Sequence, residues 1–161
     1  MAQTLNLYGS TAARIADMRY GCRVDRAAAI VTAATVPIFY VYGGNIRLTG
    51  FYGEIMVTIE TAVNLSLDYD VDEAAALDTA LGTATGNMIT YVPGRMITLP
   101  AAAGALAVSA TGGAAPIDVV PNYILPVGHF DLVSAVASVT GTIRWSLWYV
   151  PVEPAAYVVA G

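Results

Sequence analysis

The sequence predicts an all-β fold, an antiparallel β-sandwich or jelly roll, and three observations lead there. From Ala27 onward, short β-branched and aromatic runs alternate with Gly, Pro and Asn punctuation. Helical periodicity is almost absent. The stretch VNLSLDYDVD sets Leu65, Leu67, Tyr69 and Val71 on one face and Ser66, Asp68, Asp70 and Asp72 on the other, as in a strand with one buried and one wetted side. Such a strand belongs in an antiparallel sheet, because parallel sheets are covered on both faces. A chain of 161 residues suits one domain.

In chain order, residues 1–26 lack clean alternation and concentrate Arg14, Arg19, Arg23 and Arg26, so they read as an N-terminal arm. Residues 27–161 form the single β domain. Its candidate strands are Ala27 to Ala33, Ile38 to Tyr42, Ile46 to Thr49, Glu54 to Glu60, Asn64 to Val71, Met88 to Val92, Met96 to Leu99, Ile117 to Leu125, His129 to Ala137 and Thr142 to Val150. Gly43-Gly44-Asn45 has the tolerance of positive φ that a tight hairpin between two of these needs. Asp72 to Leu81 is the one stretch that reads as a helix, with acids at its start, alanines inside and Gly82 after it. Leu99 to Pro116 is low in complexity and small in side chain, which fits a loop or a thin, closely approached strand.

Hydrophobic residues make up 57% of the chain and charged residues only 12%, about half the share usual in soluble domains. Alanine accounts for much of the apolar fraction, but too few charges remain to cover a monomer, which points to surface meant for other subunits. All seven basic residues are arginines. The first 26 residues carry four arginines against two aspartates, +2, while the remainder carries three arginines against ten acids, −7. A net charge of −5 argues against a nucleic-acid partner, since phosphate neutralisation needs clustered cations. Cys22 is the one cysteine and reads as a free thiol in a reducing cytosol. The start MAQTLNLYGS lacks the charged and apolar regions of a signal peptide, so cytosolic synthesis is expected. Ala27 to Ile46 and Met96 to Ile117 are long and uncharged enough to span a bilayer, but internal Pro and Gly argue against membrane helices.

Chemistry is hard to assemble from these residues. His129 and Cys22 stand alone in their types, so no zinc site of His/Cys type is expected, and the Gly-x-Ser-x-Gly elbow is missing. His129 then reads as a strand-start residue after Gly128. Asp68, Asp70 and Asp72 open like a calcium loop, but Glu73 stands where that loop needs Gly and Thr79 where it needs Glu. An outward acidic strand face is the simpler reading, with attraction of a cation at a subunit boundary left open. The glycine pairs make no phosphate cradle. No enzyme activity, cofactor or metal is expected. In TIRWSLWYV, Ile143, Trp145, Leu147 and Tyr149 share a buried face, leaving Arg144 and Trp148 opposite as candidate interface anchors beside Arg14, Arg19, Arg23 and Arg26.

The residues GTIRWSLWYVPVEPAAYVVAG, Gly141 to Gly161, resemble the closing strand and tail of tailed-bacteriophage capsid decoration, or cement, proteins. FYVYGGNIRLTGFYGEI, Phe39 to Ile55, is similar to that family's early hairpin, and the two stretches cover about a quarter of the chain. The resemblance implies a jelly-roll-like module that trimerises, binds the major capsid protein and stabilises the head from the capsid exterior. The arginine arm and the DYDVDE segment depart from the family pattern, so no role is carried over to them. The alternative is a tail or head-fibre component whose loops bind a receptor or glycan, to which ten tyrosines suit the chain. An outer-membrane barrel fits the alternation less well without a signal peptide.

Overall fold

The computed structural model describes residues 21–72, 79–100, 104–109 and 123–161, and in them the chain forms two antiparallel sheets packed face to face. The six-stranded sheet runs β1 (Cys22–Ile30), β10 (Thr142–Pro151), β3 (Ile46–Val57), β6 (Met96–Thr98) and β7 (Ala107–Val108), with β8 (Ile124–Leu125) also on β3. The five-stranded sheet runs β11 (Tyr157–Ala160), β2 (Thr35–Tyr42), β9 (Gly128–Val133), β4 (Ser66–Val71) and β5 (Thr79–Gly82). This is the β-sandwich the alternation predicts. Four of the pairs are nested, β1 with β10, β2 with β9, β3 with β8 and β4 with β5, as in an antiparallel ribbon wound across both sheets, while β6 and β7 pair with each other beside β3 and β11 pairs with β2.

Alternation places the core. Leu65, Leu67 and Tyr69 turn inward from β4 and its approach, and Ile143, Trp145, Leu147 and Tyr149 turn inward from β10. Aromatic rings join the layers at the centre. Phe39 and Phe130 of the five-stranded sheet each meet Phe51 of the six-stranded one, at 6.2 and 6.1 Å between centroids, and Phe51 leans on Trp145 at 5.3 Å. Each such pair adds about 0.5–1.5 kcal/mol beyond the area it buries. Tyr69, edge-on to Phe130 at 4.9 Å, donates its hydroxyl to the carbonyl of Pro126 and so ties β4 to the loop before β9. One flank is closed by backbone: Thr83 N donates to Gly104 O at 2.8 Å and Leu106 N to Thr83 O at 3.0 Å.

Several expectations are corrected. Gly43-Gly44-Asn45 does not close a hairpin, because β2 and β3 lie in different sheets, and the turn carries the chain from one layer to the other. Gly43 sits at φ +73°, and a Cβ there would stand 2.2 Å from the Ala155 carbonyl oxygen, so the crossing requires glycine for space as well as for conformation. The helix expected over Asp72 to Leu81 is overturned at its C-terminal end, where Thr79–Gly82 is strand β5 paired to β4; residues 73–78 lie outside the described residues. The arm expected over 1–26 gives up Cys22 to Arg26 to the edge strand β1, which pairs with β10; residues 1–20 lie outside the described residues. Ile46 to Thr49 and the first four residues of Glu54 to Glu60 belong to the single strand β3, which ends at Val57, and beyond it Ile59 makes only a bridge to Tyr91. Met88 to Val92 is a turn, with Thr90 at φ +67° and one bridge from Tyr91 to Ile59. Within Leu99 to Pro116, Ala107–Val108 is the thin strand β7, one of the two forms expected there, and the chain adds β11, which is not among the candidate strands. Of Ile117 to Leu125, residues 117–122 lie outside the described residues and Ile124–Leu125 is strand. No helix among the described residues is long and apolar enough to cross a membrane.

Candidate interaction surfaces

Because β10 alternates, the side chains that do not enter the core stand on the outer face of the six-stranded sheet, and register brings partners beside them. Arg23 is opposite Trp148, Asp25 opposite Ser146 and Arg144 opposite Glu54. The Arg23 guanidinium carbon lies 5.1 Å from the Trp148 ring centroid, and its Nε donates to Asp25 Oδ1 at 2.8 Å. That same oxygen accepts from Ser146 Oγ at 2.6 Å. Burial pushes the Asp25 carboxyl up, but the bonds from Ser146 and Arg23 and the charges of Arg23 and Arg144 outweigh it and hold the group below the ordinary carboxylate range. Arg144 bonds Glu54, which raises the guanidinium's already high pKa, and Tyr52 packs against Trp148 at 5.2 Å. Farther along the same strands Ile30 and Val57 both register with Thr142 and are 47% and 44% exposed.

Three of the anchors the sequence singles out, Arg23, Arg144 and Trp148, therefore meet on one face. Arg26 does not join them. Its register partner is Trp145, so it faces the interior side at the sandwich flank, where Nε donates to the Gly161 backbone oxygen at 3.1 Å and desolvation lowers its pKa. Arg14 and Arg19 lie outside the described residues. Cys22 is a free, exposed thiol at the start of β1.

The outer face of the five-stranded sheet carries a different row. Tyr157 of β11 meets Tyr42 at 5.6 Å, Tyr42 stacks along β2 on Tyr40 at 6.1 Å, and Tyr40 leans on His129 of β9 at 5.7 Å. Beyond the imidazole the row turns acidic, since Asp70 of β4 is opposite His129 and Asp68 opposite Asp131. His129 Nε2 stands 3.5 Å from Asp70 Oδ2 and 3.3 Å from Asp131 Oδ2, and Nδ1 stands 3.5 Å from Asp72 Oδ1. Sequence reasoning finds the outward aspartates of β4 and treats His129 as a plain strand residue. It misses that His129 lands among the acids: Asp131 shares its side by alternation along β9, and the β4–β9 register, which no local pattern encodes, brings Asp70 beside them. No family model, curated protein or solved structure matches the chain.

Proposed function

We propose that this chain is a non-enzymatic virion structural protein: a capsid decoration, or cement, protein that assembles with copies of itself, as a homotrimer, and binds the major capsid protein on the capsid exterior. The observation that carries the reading is the outer face of the six-stranded sheet, where Arg23, Trp148 and Tyr52 form a partly exposed aromatic and guanidinium patch, with Ile30 and Val57 exposed farther along the same strands. Tryptophan and arginine are the residue types that concentrate binding energy at protein interfaces, and holding them in place beforehand lowers the entropy lost on docking. The nested pairing of strands supports the reading further, since a jelly-roll ribbon winds in this way and the resemblance implies that fold, although the early hairpin that it places over Phe39 to Ile55 is here a crossing between sheets.

Two measurements test it. Light scattering coupled to size exclusion separates a 16.7 kDa monomer from a trimer of about 50 kDa. Sedimentation with capsids that lack their own decoration protein should then show saturable binding that Trp148→Ala weakens at least tenfold. A monomer that fails to sediment with any such capsid sinks the proposal. A second reading, a tail or head-fibre module that binds a receptor or glycan, is favoured by the Tyr157, Tyr42 and Tyr40 row on the opposite face, where Tyr157 is 51% and Tyr42 38% exposed. Labelled protein that binds host cells and ignores capsids selects it.

A further inference from the structure

We infer that His129 Nε2 and the carboxylates of Asp70 and Asp131 form a site for a divalent transition cation, Zn²⁺ or Co²⁺ in character, on the outer face of the five-stranded sheet. The inference is independent of the assembly reading. Backbone register supplies the donors. His129 and Asp131 are two residues apart on β9 and so project to the same side, and Asp70 is the Cα partner of His129 across the β4–β9 ladder. One donor atom from each of the three lies within 4.8 Å of the others.

The imidazole makes this more than a row of acids. Both of its nitrogens face carboxylate oxygens, Nδ1 toward Asp72 and Nε2 toward Asp70 and Asp131. A neutral imidazole has a single N–H. In the tautomer that carries it on Nδ1, the Nε2 lone pair stands beside two carboxylate oxygens, an arrangement that a cation between them turns from repulsive to attractive. Asp72, 3.5 Å from Nδ1, stands a short side-chain movement from the place of the carboxylate with which proteins orient a ligating histidine. Tyr40, tilted against the ring at 5.7 Å, fixes it from the side.

The spacing agrees with ligation. At 3.5 and 3.3 Å, the gaps from Nε2 to the Asp70 and Asp131 oxygens exceed the ~2.7–2.9 Å of a charge-assisted hydrogen bond. They are close to the ~3.4 Å that separates two ligand atoms on a tetrahedral ion with bonds of ~2.1 Å. One imidazole and two carboxylates suit zinc, cobalt or manganese and disfavour soft ions that want thiolate. Asp131 is the floor of the site, with a side chain 10% exposed, and Asp70 the rim at 36%, which leaves the solvent side open for water as a further ligand. Three carboxylates around one imidazole are one charge short of balance even when a dication neutralises two.

Titration of the chelator-treated full chain with Co²⁺, followed by visible absorption and by the imidazole nitrogen resonances, tests the assignment. The expected result is one saturable Co²⁺ per chain, displaced by Zn²⁺, with the Nε2 resonance broadened. His129→Gln and Asp70→Asn, each checked for an unchanged near-ultraviolet circular dichroism spectrum, should abolish it, and Asp72→Asn should weaken it by about 10–100-fold. If the wild-type chain shows no saturable binding, or if His129→Gln binds Co²⁺ as well as the wild type does, His129 and its carboxylates are not a metal site and the inference fails.

Discussion

Gly53 lies against the indole of Trp145, its register partner across β3 and β10, so closely that a Cβ at position 53 would stand 2.6 Å from Cζ3 and 2.8 Å from both Cε3 and Cη2. Trp145 is 1% exposed and leans on Phe51, so the ring is confined within the core. Gly53→Ala should therefore destabilise the fold by about 1–3 kcal/mol, the usual cost of overpacking a full core. Urea denaturation measures this directly. Combining it with Trp145→Phe, which removes the crowded ring edge, should cost less than the two separate losses added together. A neutral Gly53→Ala would mean that the β3–β10 pair separates to admit a methyl group.

The phenol of Tyr69 gives the sandwich an alkaline limit. Burial first, and the nearby charge of Asp72 second, push its pKa well above the ordinary tyrosine value, and burial also raises that of Tyr149. A folded pKa above the unfolded one means that the unfolded chain loses its proton first as pH rises. The stabilisation is thus complete below about pH 10, where a free tyrosine begins to ionise, and declines above it. Stability measured from pH 8 upward should be flat and then fall. Tyr69→Phe should flatten most of that fall while costing about 0.5–1.5 kcal/mol at neutral pH for the lost bond to Pro126.

How much of this was readable beforehand depends on the range of the signal. The two-residue period of VNLSLDYDVD and TIRWSLWYV gives the inward Leu65, Leu67, Tyr69, Trp145 and Leu147 and the outward Asp70 and Trp148, because side-chain direction in a strand is local. Strand partners are not local. Gly43-Gly44-Asn45 has the same chemistry whether the next strand turns back beside β2 or crosses to the other sheet, and here the 153–155 loop packed on Gly43 and Gly44 accompanies the crossing. The acid-rich, alanine-rich run before β5 looks helical by propensity, but within Thr79–Gly82 Leu81 and Gly82 are buried against the core, and there tertiary packing sets the strand. β11 hides because four residues after Glu153-Pro154 are too few to show a period. His129 beside Asp131 follows from alternation along β9, but Asp70 joins them only through the β4–β9 register.

Asp25 should show an acid-side effect of the opposite sign. Its pKa is depressed, so the stability it contributes is present above the unfolded carboxylate value, near 4, and is lost as pH falls through the folded value. The side chain is about half exposed, and water and salt screen its pairing with Arg23, so the contribution should stay below about 1 kcal/mol. Ser146→Ala removes the 2.6 Å hydrogen bond and should raise the Asp25 midpoint followed by carboxyl carbon resonances. An unmoved midpoint would assign the depression to Arg23 and Arg144 alone.

Arg23 and Trp148 should be coupled in the isolated protein and, more strongly, in its assemblies. The guanidinium sits 5.1 Å from the ring centroid and is anchored by Asp25, so it is presented in place without further ordering. At a half-exposed site a cation–π pair is worth about 0.5–1 kcal/mol, rising to about 2 when desolvated. A double-mutant cycle of Arg23→Ala and Trp148→Ala should give a coupling in the lower range from denaturation of the monomer. The same cycle read from the binding constant to copies or capsid should give the higher one, because docking expels water from the patch. Equal couplings in the two measurements would mean that the patch remains wet on assembly, and would move the interface to another face of the sandwich.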